Sequence, residues 1–162
     1  MTTRVVQIAN LKGQFAVSSV ENKKLVQRIF AELSNDNPRP LLDSMTDDFR
    51  FVVIGSTKWS RAYEGKQVVL DELFAPLMAV IDGRLNNIPF RFIADGDFVV
   101  VEARGNNRTK GGMEYNNTFC NVLRLEGGKL REWTEYSDTQ LVAAALGDPA
   151  EWRQRMVATV KD

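Results

Sequence analysis

The sequence predicts an α+β fold, a cone-shaped curved antiparallel sheet wrapped around helices of the N-terminal half. Apolar residues recur at helical spacing up to about residue 82, and from residue 84 onward the apolar period changes to two. Gly-containing turn signals divide this second part into four strand-like runs. Helices followed by a long antiparallel meander are typical of α+β domains. Such a sheet curls, so we expect a cone with an open mouth.

The N-terminal half begins with a helix signal. Ser18 and Glu21 have the spacing of a capping box, and apolar residues follow at helical spacing, which predicts a helix over about 19–34. Residues 40–45 predict a second short helix. Phe49–Gly55 is rich in β-branched and aromatic residues and predicts a strand.

The middle of the chain predicts one more helix and then the meander. Residues 56–65 indicate a loop or a short edge hairpin, and residues 66–82 a third helix. Pro76 should kink this helix or mark its last turns, because proline cannot donate a backbone hydrogen bond. Four strands are then expected, at residues 84–94, 98–107, 114–126 and 129–138.

Two helices are expected after the meander. The first begins at about Asp138 and ends at Leu146; the second has Asp148 as N-cap and Pro149 at its first position. Before the domain we expect an extension with an irregular strand through Arg4–Ile8. The predicted division is an N-terminal extension at 1–18, the domain at 19–146 and a C-terminal helix at 147–162.

Composition excludes several classes of function. The 162 residues suffice for one domain, and 21 Lys plus Arg balance 21 Asp plus Glu. Because nucleic acid and anionic membranes select a basic excess, neither is an expected partner. The single cysteine, Cys120, fits a reducing compartment, and no signal peptide or membrane span is evident, so a cytoplasmic location is expected. The absence of histidine argues against a metal site and confines acid–base chemistry to other side chains.

Several motifs resemble those of a known family. The stretches LVQRIFAEL, MTDDFRF, AYEGKQVV, DGDFVVVEARG and YNNTFCNVLRLEGGKLREWTEYSDT resemble the SnoaL-like, ketosteroid isomerase-related branch of the nuclear transport factor 2-like superfamily, from about Glu21 to Leu146. The resemblance implies a cone-shaped α+β barrel with a deep pocket, usually a homodimer. Members include isomerases, polyketide cyclases, epoxide hydrolases and dehydratases, so the fold alone leaves the reaction open.

The resemblance, with strand alternation, also implies which residues line the pocket. Trp133 and Glu135 should face inward, and Asp138 either lines the pocket or caps the following helix. Trp59 and Tyr63 are expected near the mouth. The other expected lining residues are Phe51, Val53, Phe74, Met78, Tyr115, Asn117 and Phe119.

A catalytic group is implied by the limonene epoxide hydrolase of this superfamily, which uses an arginine and two carboxylates. Glu102, Arg104 and Glu135 occupy the matching positions. An arginine between two carboxylates would keep one ionised while burial raises the pKa of the other. The alternative is that Glu102 and Arg104 face solvent or form a cross-strand ion pair. Phe51 and Val53 stand where that hydrolase has polar residues, and no isomerase base is present on this strand, so neither activity transfers directly.

Three functions remain open from the sequence. The first is a cofactor-free isomerase, cyclase, dehydratase or hydrolase acting on a small, largely apolar oxygenated molecule. The second is a non-catalytic module that binds a small apolar or aromatic metabolite. The third is a dimerisation scaffold with a filled cone. In each case a homodimer through the outer face of the sheet is expected.

Overall fold

The structure is a computed structural model that describes residues 18–159, with side chains described as far as residue 154. The strand expected at Arg4–Ile8 lies outside the described residues. No helix within the described range is both long and apolar enough to cross a membrane.

One curved, unclosed sheet forms the body of the molecule. Its strands are β1 (Met45–Val53), β2 (Arg61–Glu64), β3 (Asn87–Asp95), β4 (Phe98–Gly105), β5 (Thr118–Glu126) and β6 (Lys129–Tyr136). They lie in the order β2-β1-β6-β5-β4-β3. Pairing is antiparallel except between β1 and β6, which run parallel. The two strands are far apart in sequence, so no hairpin turn constrains their direction, and the expectation of antiparallel pairing throughout misses this pair.

The helices lie in three places along the chain: before the first strand, between the second and third strands, and after the last strand, much as the periodicity predicts. Ser18 and Glu21 form the expected capping box at the start of the first helix. That helix packs against β3 and buries Val26, Ile29 and Phe30. The helices are α1 (Ser19–Ser34), α2 (Arg39–Ser44), α3 (Lys66–Val69), α4 (Ala75–Val80), α5 (Thr139–Leu146) and α6 (Pro149–Thr159).

A π-helical turn, Leu70–Phe74, joins α3 to α4. The Ala75 N–H donates to the Leu70 carbonyl, five residues back, instead of the usual four. Pro76 follows immediately; it has no N–H to donate and its ring needs space beside the preceding turn. The widened turn provides that space, so the helix continues past the proline to Val80.

Strand alternation gives the sheet an apolar inner face. On β4 the buried residues are Val99, Val101 and Ala103, and on β5 they include Leu123 and Leu125. The inner face therefore meets the helices, while the outer face stays open in the described part of the chain. This arrangement leaves space between sheet and helices at one end.

Candidate functional site

A cavity of about 380 Å³ lies between the sheet and the helices. The sheet contributes Phe51 from β1, Asn121 from β5, and Trp133 and Glu135 from β6. These four meet because β6 pairs with both β1 and β5: Phe51 lies opposite Trp133, and Asn121 lies opposite Glu135. The neighbouring positions on three adjacent strands form one continuous floor.

Helices supply the apolar walls of the cavity. Leu70, Leu73, Phe74, Leu77 and Met78 recur at helical spacing along the π-helical turn and α4, so one face of this segment lines the cavity. The opposite wall consists of Phe30, Leu33 and Ser34 from α1 and Leu41 and Leu42 from α2.

The open side of the cavity is formed by two loops. Asp36 and Pro38, between α1 and α2, are exposed, and so is Arg84, which precedes β3. Leu85 and Asn87 continue this rim inward. The rim is therefore charged, whereas the walls are apolar.

Aromatic rings pack around Trp133. Its indole stacks on Phe51 with ring centroids 5.4 Å apart, and Phe30 lies 5.5 Å away on a tilted plane. The indole Nε1–H donates to Asn121 Oδ1 at 2.9 Å, and Asn121 Nδ2 donates to the Val101 carbonyl at 3.5 Å. Asn121 thus satisfies a buried indole and fixes the orientation of the ring that forms the floor.

Glu135 is the one carboxyl on the floor of the cavity in the described part of the chain. The main chain of β6 directs it to the same face as Trp133, two residues earlier. No side-chain hydrogen bond or ion pair to its carboxyl is found among the described residues. Burial without a compensating partner raises the pKa of Glu135 from its usual range to about 7. Near neutral pH this carboxyl can therefore both accept and donate a proton.

Tyr115, Asn117 and Phe119 are buried, as expected, but they form a layer beside the cavity and do not line it. Tyr115 packs on Phe119 with ring centroids 6.4 Å apart. Burial, and then the nearby Glu135 charge, raise the pKa of Tyr115, while the Asn117 side chain acts in the opposite direction. Of the three, Tyr115 is therefore near enough to Glu135 to sense its charge.

Asp138 caps α5, which is the second of the two roles expected for it; the first is to line the pocket. Its Oδ1 accepts from the backbone N–H groups of Gln140 and Leu141 at 2.9 and 3.2 Å. Asn117 holds it in place, since Asn117 Nδ2 donates to the Asp138 carbonyl and Asn117 Oδ1 accepts from the Asp138 N–H. Asp138 does not line the cavity.

Val53, Trp59 and Tyr63 are buried core residues and do not line the cavity, although Val53 is expected on its wall and Trp59 and Tyr63 near its mouth. Trp59 Nε1 donates to the Gly147 carbonyl at 2.9 Å, and the Tyr63 hydroxyl donates to the Trp59 carbonyl at 3.0 Å. These bonds fasten the loop before β2 to the end of α5. Phe51, Phe74, Met78, Trp133 and Glu135 are the expected site residues that do line the cavity.

Glu102 and Arg104 lie on the outer face of the sheet, so the predicted convergence with Glu135 is wrong. Glu102 pairs with Arg91 across strands at 2.6 Å, and the Arg104 guanidinium lies 5.0 Å from the Phe90 ring centroid. The physical reason is that Val99 and Val101 fill the inner positions of β4, and burying them leaves the alternate positions outside. The solvent-facing cross-strand ion pair is the alternative that the geometry supports.

Asn121 and Arg84 line the cavity but are absent from the residues expected there. For Asn121 a signal exists, since the alternation that places Asn117 and Phe119 inside also places Asn121 inside. Arg84 lies in a turn, where alternation carries no information. No cluster of potential metal-ligating side chains is found among the described residues.

Comparisons with known proteins agree with this architecture. A nuclear transport factor 2-like protein from Burkholderia xenovorans is 21% identical, with a TM-score of 0.66 over 80% of this chain and 98% of that one. A putative SnoaL-like polyketide cyclase from Jannaschia is 22% identical, with a TM-score of 0.66 over 78% and 92%. A protein of ketosteroid isomerase-like fold from Catenulispora acidiphila, in complex with trimethylamine, is 22% identical, with a TM-score of 0.62 over 80% and 96%.

Those structural likenesses establish the fold alone. A search of curated protein sequences gives no match. The model of the SnoaL-like domain matches residues 26–133, which include α2, the π-helical turn and most of the sheet. Since this match covers more than half of the chain, the protein belongs to the SnoaL-like domain family.

Proposed function

We propose that the cavity binds a small, largely apolar oxygenated molecule and that Glu135 exchanges a proton with it, without a cofactor. One observation carries this proposal: the Glu135 carboxyl lies in an apolar cavity without a protein partner among the described residues. A carboxyl held near neutrality by burial suits general acid–base catalysis, because both protonation states are populated at the working pH.

The reaction classes consistent with one such group are isomerisation, cyclisation, dehydration and hydrolysis. In its ionised form Glu135 would remove a proton from a C–H or O–H group of the bound molecule, and in its neutral form it would return one. The apolar walls replace part of the water around the carboxyl, so it does not regain the full hydration that would lower its pKa. The structural likeness to a putative polyketide cyclase and to a ketosteroid isomerase-like protein agrees with this range of chemistry.

A non-catalytic binding module is the second candidate. The observation that favours it is that the amide of Asn121, beside Glu135, is already engaged by Trp133 and the Val101 carbonyl. Among the floor residues the Trp133 indole N–H and one Asn121 N–H are therefore engaged, which leaves a single amide N–H for a developing oxyanion. In such a module Glu135 would orient the ligand and exchange no proton with a carbon atom.

Exchange of carbon-bound protons separates the two candidates. 2-Indanone is a small apolar ketone whose α-protons exchange with D₂O, which proton NMR measures directly. We expect the wild-type protein to accelerate this exchange, with a rate that rises as pH increases through about 7, because the ionised carboxylate is the base. Glu135→Gln should lose the acceleration, since an amide cannot accept the proton.

Glu132→Gln is the matched control. Glu132 lies on the same strand but pairs with Arg50 outside the cavity, so its substitution should leave the exchange rate unchanged. Equal rates in wild type and Glu135→Gln would remove the acid–base role and leave the binding module as the function of the cavity.

A further inference from the structure

We infer that Arg84 binds an anionic group of the ligand at the open side of the cavity, so that the ligand is an apolar molecule with one carboxylate or comparable acidic group. This inference rests on the proposed ligand-binding cavity and adds the charge and the orientation of its ligand. It concerns the rim, whereas the proposed proton transfer concerns the floor.

Arg84 differs from most arginines among the described residues in having no partner there. Arg50, Arg61, Arg91 and Arg131, among others, each pair with a carboxylate, and Arg104 lies over the Phe90 ring. Arg84 has neither a hydrogen bond, an ion pair nor a ring contact within the described part of the chain, although it lines the cavity. Its guanidinium is thus available to a ligand.

The turn that carries Arg84 is anchored at both ends. The Asp82 N–H donates to the Arg108 carbonyl at 2.8 Å. On the other side the Asn86 N–H donates to the buried Asn107 side chain at 2.6 Å, and Asn107 Nδ2 donates to Asn87 Oδ1 at 3.0 Å. A buried amide that holds the following residues restricts the backbone, so Arg84 starts from a fixed place at the rim.

The remaining charges of the cavity permit an anion at this place. Asp36, the other charged rim residue, forms no ion pair with Arg84 within the described residues, so the guanidinium is not neutralised there. Glu135 lies on the floor, and burial raises its pKa to about 7, so about half of this carboxyl is neutral at that pH. An apolar body can therefore lie along Leu77 and Phe74 while its acidic group remains at Arg84.

Binding of a charged probe and its neutral counterpart tests the inference. 4-Phenylbutyrate and 4-phenylbutanamide have similar shapes and differ in charge, and calorimetric titration gives the affinity of each. We expect wild type to bind the carboxylate about tenfold or more tightly than the amide, because the carboxylate accepts charge-assisted hydrogen bonds from arginine. Added salt should weaken binding of the carboxylate and leave the amide nearly unchanged.

Arg84→Met should remove this preference while retaining amide binding, which also shows that the variant is folded. Arg28→Met is the matched control: Arg28 also has no partner among the described residues, but it lines a separate surface depression beside Lys129. The control should behave as wild type, although it changes the net charge equally.

The outcomes separate this inference from the proposed function. Equal affinity of wild type for both probes, or a preference that persists in Arg84→Met, overturns the role of Arg84 and leaves the cavity as a ligand site. If neither probe binds the wild-type protein, the ligand-binding cavity itself is refuted, and the inference with it.

Discussion

At the scale of single residues, Glu135 links the chemistry of the cavity to stability. An unfolded glutamate ionises near pH 4.5, whereas native Glu135 remains protonated up to about pH 7. Between these values the native state binds more protons than the unfolded state, so the free energy of unfolding falls as pH rises through this window. The apolar environment of this carboxyl therefore lowers the free energy of unfolding at neutral pH.

Glu135→Gln should remove this destabilisation. We expect the variant and wild type to have similar free energies of unfolding near pH 4, where both side chains are neutral. Near pH 8 the variant should be more stable by about 2 kcal/mol, less than the full shift because the carboxyl reaches solvent through the cavity. Urea unfolding at both pH values measures the difference; a gain that does not change with pH would contradict the raised pKa.

Asn121 gives a second prediction at this scale. Asn121→Leu leaves the buried Trp133 indole N–H and the Val101 carbonyl without their amide partner. We expect a loss of about 1–3 kcal/mol in the free energy of unfolding and a changed near-ultraviolet circular dichroism signal from Trp133. In a Trp133→Phe background the same substitution should cost less, because the indole donor is already gone. Equal costs in both backgrounds would show that the hydrogen bond does not position the ring.

Alternation along a strand predicts the face on which a side chain lies only where apolar residues occupy one parity of the strand. Trp133 and Glu135 have the expected inward orientation, which the family resemblance predicts; alternation alone does not, because a register shift puts the buried Leu130 at the other parity of the same strand. The segment Val99-Val100-Val101 is apolar at both parities, and there the family resemblance favours the wrong face for Glu102. Strand pairing resolves the ambiguity: Glu102 lies opposite Cys120, which alternates with the inward-facing Phe119 along β5, so both Glu102 and Cys120 belong to the outer face.

At the scale of elements, α6 braces a wall of the cavity. It packs against α4 and the π-helical turn, and Arg153 Nη1 lies 3.1 Å from Glu72 Oε2 on that turn. Leu73 and Phe74 of the same turn line the cavity. A change in α6 can thus alter residues that line the cavity through the π-helical turn.

Arg153→Met tests this brace. The ion pair is partly exposed, so we expect a stability change below about 1 kcal/mol. Hydrogen exchange of backbone amides in residues 66–80 should nevertheless become faster, because α6 loses one of its attachments to the wall. Gln154→Met changes the exposed neighbour on the same helix and should leave exchange unchanged. Equal exchange rates in both variants would refute the brace.

Periodicity and capping signals predict most elements of this fold within a few residues. The start of α1 and the cap of α5 follow from local hydrogen bonds, which depend on sequence neighbours alone. The π-helical turn and the parallel pairing of β1 with β6 depend on packing between distant segments. Such contacts leave no periodic signal, so the sequence predicts the helix around Pro76 but not the widened turn.

At the scale of the whole molecule, the outer face of the sheet has a banded pattern. An apolar row crosses the strands through Ile93, Val100, Val122, Thr134 and Val52. A row of alternating charge runs beside it, in which Arg50 pairs with Glu132 and with Glu64. A face with an apolar centre and charges of both signs at its border can meet its own copy.

We therefore propose a homodimer through this outer face, and Ile93→Glu tests it. Ile93 is 55% exposed, so a charge there costs the monomer little, but in a dimer it would lie desolvated in the apolar row. We expect light scattering after size exclusion to give about twice 18.3 kDa for wild type and 18.3 kDa for the variant at micromolar concentration. Val20→Glu places the same charge on an apolar residue of α1 that is 59% exposed and away from the sheet, and should remain dimeric. A wild-type protein that elutes as a monomer would exclude the dimer, and a dimeric Ile93→Glu variant would place the interface on another surface.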